Sequence, residues 1–184
     1  MPSFYAAIHE IVRELMYADN FYIALYDDRR EMISFPFYRD EVDLDIPDPT
    51  VWEPIGTGQA AGLTGYLLRA GKPMLMSREE YRRIVARGEA AEIGVVGTDW
   101  MGTPLRADGR TIGAVVTQSY RDDRRHSPQD LMLARTAIAR FGGAEIKTEG
   151  DSSYVVQGSL PQRSGRSGAP LRSHNNYLRK FLAE

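Results

Sequence analysis

Between Trp100 and Tyr120 the chain reads WMGTPLRADGRTIGAVVTQSY, two apolar arms joined by Ala-Asp-Gly-Arg. Asp108-Gly109 between apolar runs calls for a hairpin, because glycine enters the positive-φ region of a tight turn without a Cβ penalty. The arms must therefore pair antiparallel. Along the second arm Ile112, Ala114, Val116, Gln118 and Tyr120 share one face, and Thr111, Gly113, Val115, Thr117 and Ser119 share the other. Apolar residues on both faces predict a strand covered on both sides. Each arm also carries a glycine, Gly102 and Gly113, where a strand interior normally wants a side chain. Two readings follow: curvature or close helix packing, or a cup that admits a small molecule.

The flanking sequence supplies the layers. Phe4, Ile8, Ile11, Val12 and Leu15 recur at helical spacing over residues 3 to 17, which predicts an amphipathic first helix. Phe21 to Tyr26 and Met32 to Tyr38 form a first hairpin around Asp27-Asp28-Arg29-Arg30. Residues 39 to 59, acidic and carrying Pro47, Pro49 and Pro54, predict an irregular excursion with one short strand near 51 to 55. A short helix opens at Leu63-Thr64, with Thr64 as its N-cap, and stops at Gly71. Met74 to Met76 makes a short strand, and Ser77 caps a charged helix closed by Gly88. Ser127-Pro128-Gln129-Asp130 then starts a last helix whose Leu131, Ala134, Ile138 and Phe141 lie on one face.

Residues 144 to 184 differ in character. GSLPQRSGRSGAP is linker-like, and NNYLRKFLAE predicts a short amphipathic helix capped by Asn175 or Asn176. The domain boundary accordingly falls at 143/144, with a domain over 1–143 and a Gly/Ser/Pro-rich tail or linker over 144–184. The formal charge is -2, and the tail's basic residues lack interleaved aromatics, so no nucleic-acid footprint is expected. No apolar run approaches the roughly 20 residues that cross a bilayer, and no signal-peptide pattern opens the sequence, so the expected location is the cytoplasm without a membrane partner. With no cysteine there is no disulfide, thiolate nucleophile or Cys-ligated metal. His9, His126 and His174 have no metal-ligand spacing, so no metal site is expected.

Taken together, LMYADNFYIALYDDRREMISFPFYRDE (15 to 41), GLTGYLLRAGKPMLM (62 to 76), and GTPLRADGRTIGAVVTQSY followed by HSPQDLMLA resemble a GAF domain of bacterial sensor histidine kinases and diguanylate cyclases. The resemblance covers about residues 4 to 141. It implies an α+β, PAS-like fold: a central antiparallel sheet of about six strands with helices on both sides and a small-molecule cavity against one face. It also implies a regulatory role without catalysis and a homodimer through the terminal helices. The kinase or cyclase output such a domain would control is absent from this chain. Relatives that attach bilins or reduce free methionine sulfoxide use cysteines, which this chain lacks. Of the cyclic-nucleotide signature only Asp40-Glu41 is present, and haem would need a histidine in the cavity wall.

Residue chemistry sketches the cavity as Tyr22, Tyr26, Phe35, Phe37, Tyr38, Trp52, Trp100 and Tyr120, although aromatics serve equally as core. Thr64 would offer a helix N-terminus to an anionic group, and an inward Gln118 would need a hydrogen-bond partner. Asp40, Glu41, Asp43 and Asp45 read as a solvated acidic loop, and no nucleophile–base pair has recognisable spacing. The expected function is small-molecule sensing in a bacterial signal-transduction protein, with no cofactor beyond an unidentified small molecule. The alternative is a ligand-free dimerisation and relay module whose pocket is filled by its own aromatics.

Overall fold

The computed structural model describes residues 4–107, 109–141, 145–149 and 152–156. In chain order the elements are α1 (Phe4–Leu15), β1 (Asn20–Asp27), β2 (Met32–Arg39), β3 (Glu53–Pro54), α2 (Leu63–Ala70), β4 (Met74–Ser77), α3 (Arg78–Ala86), β5 (Asp99–Ala107), β6 (Arg110–Ser119), α4 (Pro128–Phe141), β7 (Glu145–Glu149) and β8 (Ser152–Val156). The expected helix at 175 to 184 lies outside the described residues. So does Asp108, while Gly109 beside it has φ of 77°. β7 and β8 pair as a separate two-stranded ribbon, a hairpin that the linker-like composition of the tail did not signal.

β1 to β6 form one open sheet in the order β3-β2-β1-β6-β5-β4, antiparallel throughout, as the α+β reading required. Strand alternation sends successive side chains to opposite faces, and each face meets a different pair of helices. Phe21, Ile23, Met101 and Val115 pack beneath α1 and α4 with Ile8, Val12, Ala134 and Ile138. Tyr22, Ala24, Trp100, Ala114 and Val116 pack on the other face with Leu63 and Leu67 of α2 and Tyr81 and Ile84 of α3.

Local chemistry fixes the helix ends. Gly71 terminates α2 in the left-handed conformation, its N–H donating to the Leu67 carbonyl at 2.8 Å. Ser77 and Glu80 form a reciprocal capping box on α3, and Ser127 and Asp130 exchange the equivalent bonds on α4. No helix among the described residues is long and apolar enough to cross a membrane.

Both strand glycines serve packing and bending. A Cβ on Gly102 would lie 2.4 Å from the Trp100 ring and 2.6 Å from Leu67, so this glycine lets the indole lie flat against β5 beneath α2. A Cβ on Gly113 would lie 2.2 Å from the backbone oxygen of Ala24. Gly113 sits opposite Leu25 and Leu105, beside a register shift at Leu105/Arg106, where an extra residue bends the β5–β6 ladder. Gly113→Ala forces a central strand against a carbonyl that cannot rotate away. It is expected to cost roughly 2–3 kcal/mol of unfolding free energy by urea titration, near the upper end of overpacking effects.

His9 projects from α1 toward the sheet, only 2% exposed, stacked on Phe21 at 4.6 Å and bonded to the Ala18 carbonyl at 2.7 Å. Burial pushes its pKa below the ordinary value; Arg39 and Arg13 push the same way, against the Ala18 bond and Glu10. The unfolded chain therefore binds this proton more readily than the folded one. The stability that neutral His9 contributes is complete above about pH 6.5 and is lost as pH falls below that value toward the depressed folded pKa. Thermal melts should show Tm decreasing between about pH 6.5 and 5, and His9→Gln, which keeps a donor for Ala18, should flatten that part of the slope.

Candidate functional site

The sensory cavity expected between the sheet and the α2–α3 side is occupied by three side chains from three elements. Trp100 Nε1 on β5 donates to the Tyr22 hydroxyl on β1 at 3.1 Å, and Tyr22 shares a 2.8 Å hydrogen bond with Thr64 Oγ1 on α2. All three side chains are buried, so the chain satisfies polar atoms that would otherwise be stranded in an apolar layer. Tyr38 stacks on Tyr22 at 5.0 Å, and Phe35 meets it edge-on at 5.8 Å. Burial raises the pKa of Tyr22 to about 12. Tyr38 is also raised, by burial first and then by Tyr22 and the carboxylates of Asp40, Asp43 and Asp45. Both phenols thus stay protonated at neutral pH and able to donate.

What remains is a cavity of about 50 Å³ walled by Tyr22, Thr64, Arg78, Asp99, Trp100 and Gln118, among others. That is room for about one or a few waters, far below the roughly 300–1,000 Å³ of a drug-sized pocket.

Its roof is tied down by hydrogen bonds from the excursion. Asp40 Oδ2 accepts from Gln118 Nε2 at 2.6 Å and from the Tyr120 hydroxyl at 2.9 Å, while its Oδ1 accepts from the backbone of Val42 and Asp43. Asp43 Oδ2 accepts from Val95 N at 3.2 Å, bridging the excursion to the loop after α3. Gly94 leaves the space for it, since a Cβ there would lie 2.0 Å from the same oxygen. Asn20 adds a third tie, its Oδ1 accepting from Glu41 N at 2.8 Å. The expectation of a solvated acidic loop is therefore corrected: Glu41 and Asp45 are exposed, but Asp40 and Asp43 turn inward to hold the roof. The negative charge and hydrogen bond at Asp40 add to burial in raising the Tyr120 pKa.

Several other expectations change. Phe37 lies on the opposite face, beneath α1, 5.9 Å from Phe21 and 5.5 Å from His9. A bulge is the cause: β2 shifts register between Ile23↔Phe37 and Leu25↔Ser34, around Pro36, so Phe35 and Phe37 no longer share a face and Tyr38 turns toward the cavity. Thr64 is not the N-cap of α2. Gly62 holds that position with no side-chain cap bond, and the Thr64 hydroxyl is committed to Tyr22 instead. Tyr26 packs half-buried at the edge of the same apolar layer, and Trp52 is half-buried on the excursion; neither lines the cavity. Tyr120 sits behind the lining as a support for Asp40. Gln118 finds its partners within the protein.

No local sequence signal marks the buried pair Asp99–His126. Asp99 borders the cavity, accepts from His126 N at 3.0 Å, and meets the ring Nδ1 at 2.5 Å. The ring's Nε2 faces the Tyr17 carbonyl at 2.9 Å and Thr117 Oγ1 at 3.1 Å. One imidazole thereby joins the cavity wall, the link after α1, the centre of the sheet and the start of α4. Among the described residues no cluster of three or more His, Cys, Asp or Glu could hold a metal.

A family model described as GAF domain matches residues 2–144. Among curated proteins none matches this sequence. Similar solved structures include the GAF domain of an Acinetobacter phosphoenolpyruvate-protein phosphotransferase, 14% identical over 76% of this chain and 80% of that one, with a TM-score of 0.54. A type II free methionine-R-sulfoxide reductase from Thermoplasma acidophilum is 12% identical over 71% and 81%, with a TM-score of 0.51. The GAF domain of a two-component sensor histidine kinase from Bacillus halodurans is 13% identical over 74% and 87%, with a TM-score of 0.50. At these identities the likeness is one of fold.

Proposed function

The chain belongs to the GAF domain family, and on that premise we propose that it is a non-catalytic regulatory domain that relays signals with the α2–α3 face of its sheet filled by its own side chains. The Trp100–Tyr22–Thr64 chain carries this reading, because it occupies the place of a guest and leaves about 50 Å³. Absence of catalysis is supported by the lack of any cysteine, which a thiol reductase of this fold would need.

Without a guest, the signal must arrive through contacts with another chain. The terminal helices offer the surface: Met132 on α4 is 59% exposed, next to half-buried Leu131 and Leu133. The domain therefore works as a homodimer through α1 and α4. Sedimentation velocity should give a dimer for the intact chain and a monomer for Met132→Glu with an unchanged circular dichroism spectrum. A wild-type monomer at every accessible concentration would refute this mode of relay.

Small-molecule sensing is kept as a second reading by one observation. The roof is held by hydrogen bonds from Asp40 and Asp43 rather than by a packed apolar layer, so a guest that replaces those bonds could lift it. A reproducible melting shift with a small polar solute would favour this reading over the first.

A further inference from the structure

Among the described residues six large apolar side chains are left exposed, and five of them, Val42, Leu44, Ile46, Val51 and Val95, sit on the excursion and the loop after α3. Leu44 is 81% exposed and Ile46 57%. Such a concentration on a soluble fold marks a surface that something covers. Between the same two segments runs a groove of about 560 Å³ with Phe35, Pro47, Val51 and Ile93 in its lining, together with Asp45, Asp48, Glu53 and Glu92 and no basic residue. Apolar lining and one sign of charge select an occupant that is apolar on one face and basic on its flanks.

The chain carries a segment of that chemistry. In LRSHNNYLRKFLAE, residues 171 to 184, Leu178, Phe181 and Leu182 stand at i, i+3 and i+4, with Arg172, Arg179 and Lys180 around them. Residues 157 to 184 contain five Arg or Lys and one acid, while the domain before the tail is net negative. Reach is no obstacle: the fourteen residues 157 to 170 span up to roughly 46 Å extended, against a radius of gyration of about 14 Å for a domain of this size. We propose that the chain's own C-terminal segment, residues 171–183, docks in the acidic groove between the excursion and the loop after α3, covering the exposed apolar side chains. This holds whether or not the inner cavity takes a guest, since the groove lies outside the Trp100–Tyr22–Thr64 chain.

Because the sequence has no cysteine, one can be introduced as a unique labelling site. A nitroxide at Ser173→Cys in the full-length, ¹⁵N-labelled chain should broaden the amide signals of Asp45, Asp48, Val51 and Glu92 and leave those of α1 sharp. Asp45→Lys with Glu92→Lys, both exposed positions, should abolish the broadening while the rest of the spectrum is retained. Adding Arg179→Glu and Lys180→Glu should restore it. Absence of broadening at the groove, or broadening that survives the charge reversal, would overturn the proposal. Broadening found only when label and ¹⁵N are on different chains would assign the groove to a second copy and equally overturn it.

Discussion

Trp100→Ala should lower the unfolding free energy by about 3–5 kcal/mol, and indole should give part of that back. The side chain is large, 7% exposed, and closed in by α2 above and β5 below. Its removal also strips the Tyr22 hydroxyl of a donor. Collapse is limited because the sheet cannot move and Leu67 already touches the site, so most of the ring's volume should persist as a void lined by apolar atoms and one phenol. Indole matches that void and can re-form the bond to Tyr22. At about ten times its dissociation constant it should return roughly 1.4 kcal/mol. Wild type, with the place filled, should show no response. Trp100→Phe keeps one aromatic ring in place but loses the rest of the indole with its N–H, so its loss should fall short of the alanine variant's. Urea titration with and without indole reads all three. A wild-type protein stabilised by indole as much as Trp100→Ala would mean that the face is open.

Asp99→Ala is expected to cost a similar 3–5 kcal/mol, for a different reason. The carboxylate accepts from the His126 backbone and faces the ring Nδ1, and both side chains are almost wholly buried. Truncation strands these buried donors beside a cavity with room for only one or a few waters, which is costlier than losing an exposed ion pair. Arg125 at 3.5 Å is half in solvent and rehydrates. The effect should also be local. Amides at the start of α4, around His126 to Leu131, should exchange hydrogen faster in Asp99→Asn, where one acceptor survives, than the global stability loss accounts for. A loss under about 1 kcal/mol, or uniform acceleration across the fold, would remove the pair as the tie between the cavity wall and the terminal helix.

The order of elements was legible because each carries its own local signal. The 3.6-residue stripe of α1, the Asp-Gly turn, the Gly71 stop and the Ser77 cap are short-range chemistry, and resemblance to the family then arranged them into layers. The aromatic part of the filled cavity was legible for the same reason, since Tyr22, Phe35 and Trp100 stand at inward strand positions. Phe37 was misplaced because period-2 reasoning assumes an unbroken strand; Pro36 was the visible warning of the bulge. Thr64 has the composition of a cap, but the buried Tyr22 hydroxyl competes for its oxygen, and only the tertiary fold brings the two together. Asp40 and Gln118 lie 78 residues apart, and Asp99 and His126 27 apart. Nothing at that separation marks a pair in one sequence, although Asp40, two and three residues before the amides it accepts, has the spacing of an Asx turn.

Native mass spectrometry of the freshly purified full chain tests most directly whether the α2–α3 face of the sheet is closed by the protein's own aromatics. Every charge state should give the mass of the bare polypeptide or of its dimer, with no small-molecule adduct. A stoichiometric small-molecule adduct that persists through gentle desalting and vanishes on unfolding would contradict it.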